Sequence, residues 1–387
     1  MTSSNFRALA AALLLTTASA GAVVLLSPVA AEAASTVRPQ VGAAIQAAIK
    51  DAASGNGNAA LAKIHEAESQ PNLTPSEQDA IAKTKEYVAA KTGAGGGATG
   101  AKAKFANDYN AGHYSAVVGE DADALRKAGA FDSQSALIVA QSYYLMHNYP
   151  ECVRYIHQMG HVGQQGLELL NRCAYEAGDT EAQQGALEQL VVDLNQPKYW
   201  SDLLSLADRT SGMSTSDTLD VYRLRLLTGT MRNQSDYETA AEVALTPQIQ
   251  SPSEAIIFAQ KGIDAKLLPA DRGAKLLSLA KAQAAADAAN LPKTQAAAAA
   301  AKNGDASVKL GEDLWGMGKY QDAVNAIKAG IAKGVSNPDE AQIRLAMAYI
   351  GLHQRDAALA ALKSVSKTAP PHTQAVARLW SIYARTH

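Results

Sequence analysis

Two histidines stand at a spacing that suits a metal ion. His157 and His161 are four residues apart, so one helix face could present both to a metal such as zinc. Gly160 lies between them near a predicted helix end, and no acidic residue stands nearby as a third ligand or a base. We therefore predict that both are structural or surface histidines, and that the chain binds no metal.

No other group of residues forms a recognisable catalytic pattern. The sequence contains no His-Glu-x-x-His, Gly-x-Ser-x-Gly or Cys-x-x-Cys motif. The glycine-rich run from Thr92 to Gly100 lacks the Lys-Ser/Thr pair that a phosphate-binding loop needs after its last glycine. We predict no catalytic residue and no cofactor, and we interpret the protein as a non-enzyme.

Cys152 and Cys173 are the two cysteines of the chain. In an oxidising compartment such a pair can form a disulfide, and the two residues fall on helices that are predicted to be neighbours. Cysteine is also a common small residue of buried cores. Both interpretations, a disulfide and two buried thiols, are open at this point.

The composition favours an all-α protein without a nucleic-acid partner. Hydrophobic residues make up 47% of the 387 residues but aromatic residues only 5%, because alanine dominates. Alanine is the strongest helix former and fits close helix–helix contacts. The net charge of −2 provides no basic field for nucleic acid or for an acidic membrane surface.

The N-terminus has the features of an export signal. Arg7 is the only early charge, and the stretch from Ala8 to Ala31 carries none. Ala31-Glu32-Ala33 offers small residues at a cleavage site, so we expect residues 1–33 to be removed. The alternative is an uncleaved anchor, because the 18 residues from Leu9 to Leu26 just reach the length that spans a bilayer.

Small residues recur with a period of 35 near the C-terminus. Gly311 and Ala346 are 35 residues apart, as are Ala323 and Ala358, and within each unit the two small residues are 12 apart. This pattern resembles the tetratricopeptide repeat (TPR), in which two antiparallel helices approach closely at small residues. The resemblance predicts an all-α solenoid of helical hairpins, since one hairpin cannot bury its apolar face alone.

Helix-start motifs and a proline indicate how the remainder of the chain is divided. Thr74-Pro-Ser-Glu77 and Ser251-Pro-Ser-Glu254 resemble capping boxes at helix starts. Pro292 interrupts an alanine-rich stretch, which we interpret as two helices. The predicted segments are the signal (1–33), degenerate TPR-like helices (34–92), a flexible glycine-rich linker (93–100), TPR-like repeats (101–303) and a C-terminal TPR pair with a capping helix (304–387).

The TPR resemblance also implies a set of groove residues. In this family the groove is lined by first-helix positions one after, and four to five after, the first small residue. These positions correspond to Gln141, Tyr144, Glu312 and Trp315 in this chain. An exposed tryptophan is a typical interface anchor, so Trp315 is the strongest candidate for partner binding.

A second resemblance suggests the cellular compartment. Tyr143, Tyr149, the stretch from Pro197 to Leu204 and the stretch from Asp220 to Gly229 resemble a group of periplasmic TPR proteins of Gram-negative bacteria. Some of these are similar to the accessory TPR components of TonB–ExbB–ExbD systems.

These features together predict a non-enzymatic periplasmic scaffold. Its concave groove would bind a protein or peptide partner of the cell envelope, without membrane insertion once the signal is cleaved. The first alternative is an accessory component of a TonB–ExbB–ExbD-type energy-transducing system. The second is a helical-repeat enzyme or small-ligand carrier. An uncleaved signal would instead hold the protein at the inner membrane.

Overall fold

The computed structural model describes residues 37–387, which fold into helices without a single strand. The predicted signal, residues 1–33, lies outside the described residues. The described chain divides into two compact units, unit 1 (37–146) and unit 2 (147–387). Unit 1 comprises α1 (Pro39–Ala53), α2 (Gly57–Glu68), α3 (Pro75–Thr92), α4 (Gly97–Ala111), α5 (Tyr114–Ala116), a π-helix (Val117–Asp121), α6 (Ala122–Lys127) and α7 (Ser133–Leu145).

Unit 2 contains the longer array. Its helices are α8 (Tyr149–Gln158), α9 (Gln164–Ala177), α10 (Thr180–Leu194), α11 (Pro197–Ala207), α12 (Thr215–Leu227), α13 (Gln234–Ala244), α14 (Pro252–Asp264), α15 (Ala270–Ala300), α16 (Asp305–Gly316), α17 (Tyr320–Lys333), α18 (Pro338–Gly351), α19 (Arg355–Lys363) and α20 (Pro371–Thr386). Consecutive helices pack against one another, and the predicted fold class, an all-α solenoid of helical hairpins, is confirmed.

Small residues let the helices of a hairpin approach closely. A Cβ atom on Gly311 would lie 2.3 Å from Cγ1 of Ile327 and 3.1 Å from the carbonyl oxygen of Ala323, which is itself fully buried. Ala346 and Ala358, the corresponding pair of the next hairpin, are also fully buried. The 12-residue spacing therefore marks the contact points of the α16–α17 and α18–α19 hairpins.

The C-terminal helices of unit 2 fold back onto its earlier ones. Helix α20 packs against α10, α12 and α18 as well as against its neighbour α19. Helices α12 and α18 accordingly have buried residues around most of their circumference, including the charged side chains Asp220, Arg223 and Arg344. Trp200 of α11 and Trp380 of α20 are almost wholly buried in the same core.

Unit 1 begins with a three-helix core of α1, α2 and α3. The predicted capping box is confirmed, because Thr74 accepts a hydrogen bond from the backbone of Glu77 and the Glu77 carboxylate accepts one from the backbone of Thr74. The Arg38 guanidinium also donates to the two Glu77 carboxylate oxygens, at 2.8 and 2.9 Å. This interaction ties the start of α1 to the start of α3.

The glycine-rich stretch 93–100 is not a flexible linker, so that prediction is wrong. Gly93 ends α3 in the left-handed conformation (φ 73°), and Gly97 begins α4. A Cβ atom on Gly96 would lie 2.5 Å from Cα of Gly100 and 2.6 Å from Cβ of Ala89. The glycines are therefore needed for a tight, packed turn between α3 and α4, and the two units divide at Met146 instead.

The predicted break at Pro292 is also wrong, since Ala270–Ala300 forms one continuous helix. Proline removes one backbone hydrogen bond, but the many alanines around it are strong helix formers. The Lys333 ammonium donates to the carbonyl oxygens of Ala298 at 3.1 Å and Ala299 at 2.6 Å, which caps the C-terminal end of the helix.

Candidate functional site

The two histidines at metal-ligand spacing do not share a helix face. His157 lies in the last turn of α8, whereas His161 follows Gly160, whose left-handed backbone (φ 74°) comes after the helix end. Both histidines are exposed. Across residues 37–387, no group of three His, Cys, Asp or Glu side chains is arranged to hold a metal ion.

Cys152 of α8 and Cys173 of α9 form a disulfide in the structure, with their Cα atoms 6.0 Å apart. Both residues are fully buried. The bridge joins two helices that pack against each other, and it closes a loop with a sequence separation of 21 residues. The sequence left open whether these cysteines form a disulfide or remain two buried thiols, and in the structure they form the disulfide.

Gln141 of α7 is used inside unit 1. It is only 7% exposed, and its Oε1 accepts a hydrogen bond from the hydroxyl of Tyr109 of α4 at 3.2 Å. Burial raises the pKa of Tyr109 to about 12, so this hydroxyl keeps its proton and remains a donor. We therefore assign Gln141 to packing between α4 and α7, which corrects its predicted groove role. Tyr144 is half-buried.

Trp315 and Glu312 of α16 are also engaged within the chain. The Trp315 indole nitrogen donates to the carbonyl oxygen of Met347 at 3.1 Å, and the Arg223 guanidinium lies 5.1 Å from the centre of its ring system. Glu312 accepts a hydrogen bond from Arg344. Both side chains are half-buried and contribute to the packing between α16, α18 and α12, and their groove role stays a prediction.

These contacts lead to a buried polar cluster of unit 2, which we define as Asp220, Arg223, Glu254, Glu312 and Arg344. Asp220 lies at its centre. One of its carboxylate oxygens accepts from Arg223 at 2.7 Å, and the other accepts from Arg344 at 2.7 Å. Arg223 also donates to both oxygens of Glu254, at 2.7 and 2.6 Å. Asp220, Arg223, Glu254 and Arg344 are each at most 4% exposed.

Burial and pairing act in opposite directions on the pKa values of these acids. At Asp220 burial is the larger effect and raises the pKa, although Arg344 and Arg223 oppose it. At Glu254 burial also disfavours the charge, but Arg223 and the hydroxyl of Ser251, which donates at 2.6 Å, together lower the pKa. The Ser251 hydroxyl thus serves Glu254 rather than the backbone, and the capping box predicted at Ser251 does not form.

The cluster borders a shallow recess between the helices. The residues lining this recess are Arg223, Glu312, Trp315, Ile327, Arg344 and Met347. Arg344 also donates to Ser216 and Glu340, so its donors are directed at partners within the chain. The arrangement is suited to clamping α12, α14, α16 and α18 together, because removing any one partner would leave a buried charge uncompensated.

The residues at the centre of this cluster were not among those predicted from the sequence. Asp220 and Arg223 stand three apart in α12, between the buried apolar residues Leu219, Val221 and Leu224. Charged residues on a helix with no polar face are a signal of internal ion pairing. Their partners Glu254 and Arg344 lie 31 or more positions away in sequence, so only the fold brings them together.

Comparison with known proteins returned no matching family model and no matching curated protein. Among the described helices, none combines the length and apolar character that crossing a membrane requires. The functional assignment therefore rests on the fold and on the residues themselves.

Proposed function

We propose that the protein is a non-enzymatic scaffold that binds a protein or peptide partner of the cell envelope. The observation that carries this proposal is the stack of helical hairpins in unit 2. In such a stack each hairpin buries one side against its neighbours and leaves the opposite side as a surface extended over several helices. Extended surfaces of this kind suit the recognition of a peptide or a partner helix.

The partner surface in unit 2 lies away from the polar cluster. The Trp315 indole nitrogen donates to Met347, and the Glu312 carboxylate accepts from Arg344. A partner would have to break these internal hydrogen bonds to reach either polar group. Large apolar side chains are instead exposed on other helices. Tyr175 of α9 is 58% exposed and Leu279 of α15 is 51% exposed, and either could anchor a partner without disturbing the core.

Periplasmic residence is part of the same proposal. It is supported by the uncharged stretch from Ala8 to Ala31 and by the Ala31-Glu32-Ala33 site. N-terminal sequencing of the protein purified from its native host would test it. The proposal expects a chain that starts at Ala34, whereas a chain retaining residues 9–26 in the inner-membrane fraction would contradict it.

Site-specific photo-crosslinking in intact cells tests the binding role. A photoreactive amino acid would replace Tyr175, Leu279 or Ile257 of α14, which is 42% exposed, and a matched variant would carry it at the half-buried Trp315. We expect at least one exposed position to give a discrete crosslinked product with one partner, and Trp315 to give none. Crosslinking only from Trp315, or from no position at all, would contradict the proposal.

A further inference from the structure

Unit 1 contains a π-helix in the helical segment that runs from Tyr114 to Lys127. Val117–Asp121 forms this π turn between α5 and α6. A π turn is wider than an α turn and accommodates one extra residue, and such turns are rare and less favourable than the α-helix. An ordinary α-helical turn is therefore an alternative geometry for this segment, and Asp121 lies where the π turn meets α6.

Asp121 is a buried carboxyl group with one unpaired oxygen. The residue is 2% exposed, and its Oδ1 accepts from the Lys104 ammonium at 2.5 Å. Its Oδ2 has no hydrogen-bond partner within the part of the chain that the structure describes. An ionised carboxylate oxygen that is buried without a donor is strongly disfavoured.

The neighbours of Asp121 make its ionisation less favourable still. Lys104 is shared, because it also contacts Asp108 at 2.7 Å and Glu120 at 3.5 Å. His113 contacts the other oxygen of Asp108 at 3.0 Å. Three carboxyl groups thus face one ammonium group, and two carboxylates that share one site resist ionising together.

The other elements around the π turn add no compensating cation. In α6, Asp123 is paired with Arg126 at 2.8 Å, and both are well exposed. Lys127 at the end of α6 is exposed. Helix α7 contributes no Asp, Glu, Lys, Arg or His, as its sequence Ser133–Leu145 shows. The Lys104 ammonium is therefore the cation that contacts Asp121 directly.

We propose that Asp121 holds a proton in folded unit 1, and that losing this proton as the pH rises opens the π turn. The neutral acid removes the unpaired charge and leaves Lys104 to Asp108 and Glu120. Once ionised, Asp121 needs water or a second donor, and the π turn is the nearest element that can rearrange to supply it. The segment 117–121 is then a pH-sensitive switch.

The electrostatics of the site agree with this geometry. Burial is the largest effect on Asp121 and raises its pKa; the Lys104 ammonium opposes this increase without cancelling it, and Asp108 adds to it. Burial also works against the charge on Asp108, but Lys104 and His113 outweigh it and lower the Asp108 pKa. Because the folded-state pKa of Asp121 lies above its unfolded value, its contribution to stability is complete at low pH and is lost as pH rises through the folded pKa.

Carboxyl-carbon NMR titration of the full chain, selectively labelled at aspartate, tests the first half of the proposal. The signal that is missing from the Asp121→Asn spectrum assigns this residue. We expect the Asp121 midpoint to lie clearly above about 3.9, the usual value for an aspartate side chain. A midpoint at or below about 3.9 would overturn the proposal.

Hydrogen exchange of the backbone amides at 117–122 tests the second half. After correction for intrinsic exchange, their protection should fall by up to about tenfold per pH unit as the pH rises from the ordinary aspartate range to the Asp121 midpoint, and should level off above it, as release of one proton requires. In Asp121→Asn the protection should not depend on pH, and in His113→Gln it should behave as in the parent chain. Protection independent of pH in the parent, or a dependence that disappears with His113→Gln alone, would show that Asp121 is not the switch.

Discussion

A single methyl group added to Gly330 should destabilise unit 2. Gly330 lies inside α17, where it faces the backbone at the start of α16. A Cβ atom there would lie 2.7 Å from the carbonyl oxygen of Gly304 and 3.1 Å from the backbone nitrogen of Val308. Gly304 is held in place by its own hydrogen bond to Gly334 at 2.7 Å. Neither backbone contact can be relieved by turning a side chain.

The magnitude follows from two opposing effects. Replacing glycine by alanine inside a helix stabilises by roughly 0.5–1 kcal/mol. Overpacking a close contact costs about 1–3 kcal/mol, and a backbone neighbour that cannot yield favours the upper part of that range. We therefore expect Gly330→Ala to lower the free energy of unfolding by about 1–2 kcal/mol, which corresponds to a melting temperature lower by roughly 2–8 °C.

Gly185→Ala provides the matched control. Gly185 also lies inside a helix, α10, but a Cβ atom there would have nothing within 4 Å. This variant should be more stable than the parent by roughly 0.5–1 kcal/mol, since only the helix effect acts. Thermal unfolding followed by circular dichroism measures both. A Gly330→Ala variant as stable as Gly185→Ala would refute the close approach of α16 and α17.

Four further predictions concern other parts of the chain. His353 holds a left-handed backbone (φ 58°) at an exposed turn, so His353→Gly should raise the urea midpoint by an amount equivalent to about 0.5–1 kcal/mol; a lower midpoint would contradict this. Arg344→Met should cost about 3–5 kcal/mol in urea unfolding because it leaves Asp220 without its α18 partner, and a loss under 1 kcal/mol would argue against the buried cluster. The hydrogen bond from the Arg38 side chain lowers the pKa of Glu77 to about 2, and the backbone N–H groups of Thr74 and Arg38 add to this effect. Unit 1 should therefore lose stability as the pH falls from about 4.5 towards 2, and circular dichroism should show that this loss disappears in Glu77→Gln. The disulfide between α8 and α9 should leave no reactive thiol in unreduced, denatured protein, and reduction should cost on the order of 3 kcal/mol; two thiols per chain would exclude it.

The repeat pattern was accessible from sequence because it depends on local spacing. Small residues 12 apart, such as Gly311 and Ala323, report a contact between two consecutive helices, and the capping box at Thr74 involves residues only three apart. Interactions of this range are encoded in a short window of sequence. The same is true of the alanine-rich composition, which predicted an all-α fold.

The predictions that failed depend on context beyond such a window. A glycine-rich stretch is a flexible linker in isolation, but here Gly96 packs against Ala89 and the stretch becomes a fixed turn. Glu254 stands at the position of the acidic residue of a capping box, yet its carboxylate accepts hydrogen bonds from Arg223, which lies 31 residues earlier. The packing of α20 against α12, and the ion pair that joins α18 to α12, also have no local signal in the sequence.

An intramolecular crosslink between α12 and α18 tests whether the C-terminal helices of unit 2 fold back onto its earlier ones. The Ser216 hydroxyl of α12 donates to Glu340 of α18 at 2.8 Å, although the two residues are 124 positions apart. A chain carrying both Ser216→Cys and Glu340→Cys would be treated with a short bifunctional thiol reagent, with each single variant as a control. Because the native cysteines are paired and buried, only the introduced thiols should react. We predict an intramolecular product in high yield, independent of protein concentration and detected by mass spectrometry. An array in which α12 and α18 stand apart would give no such product and would contradict the fold-back.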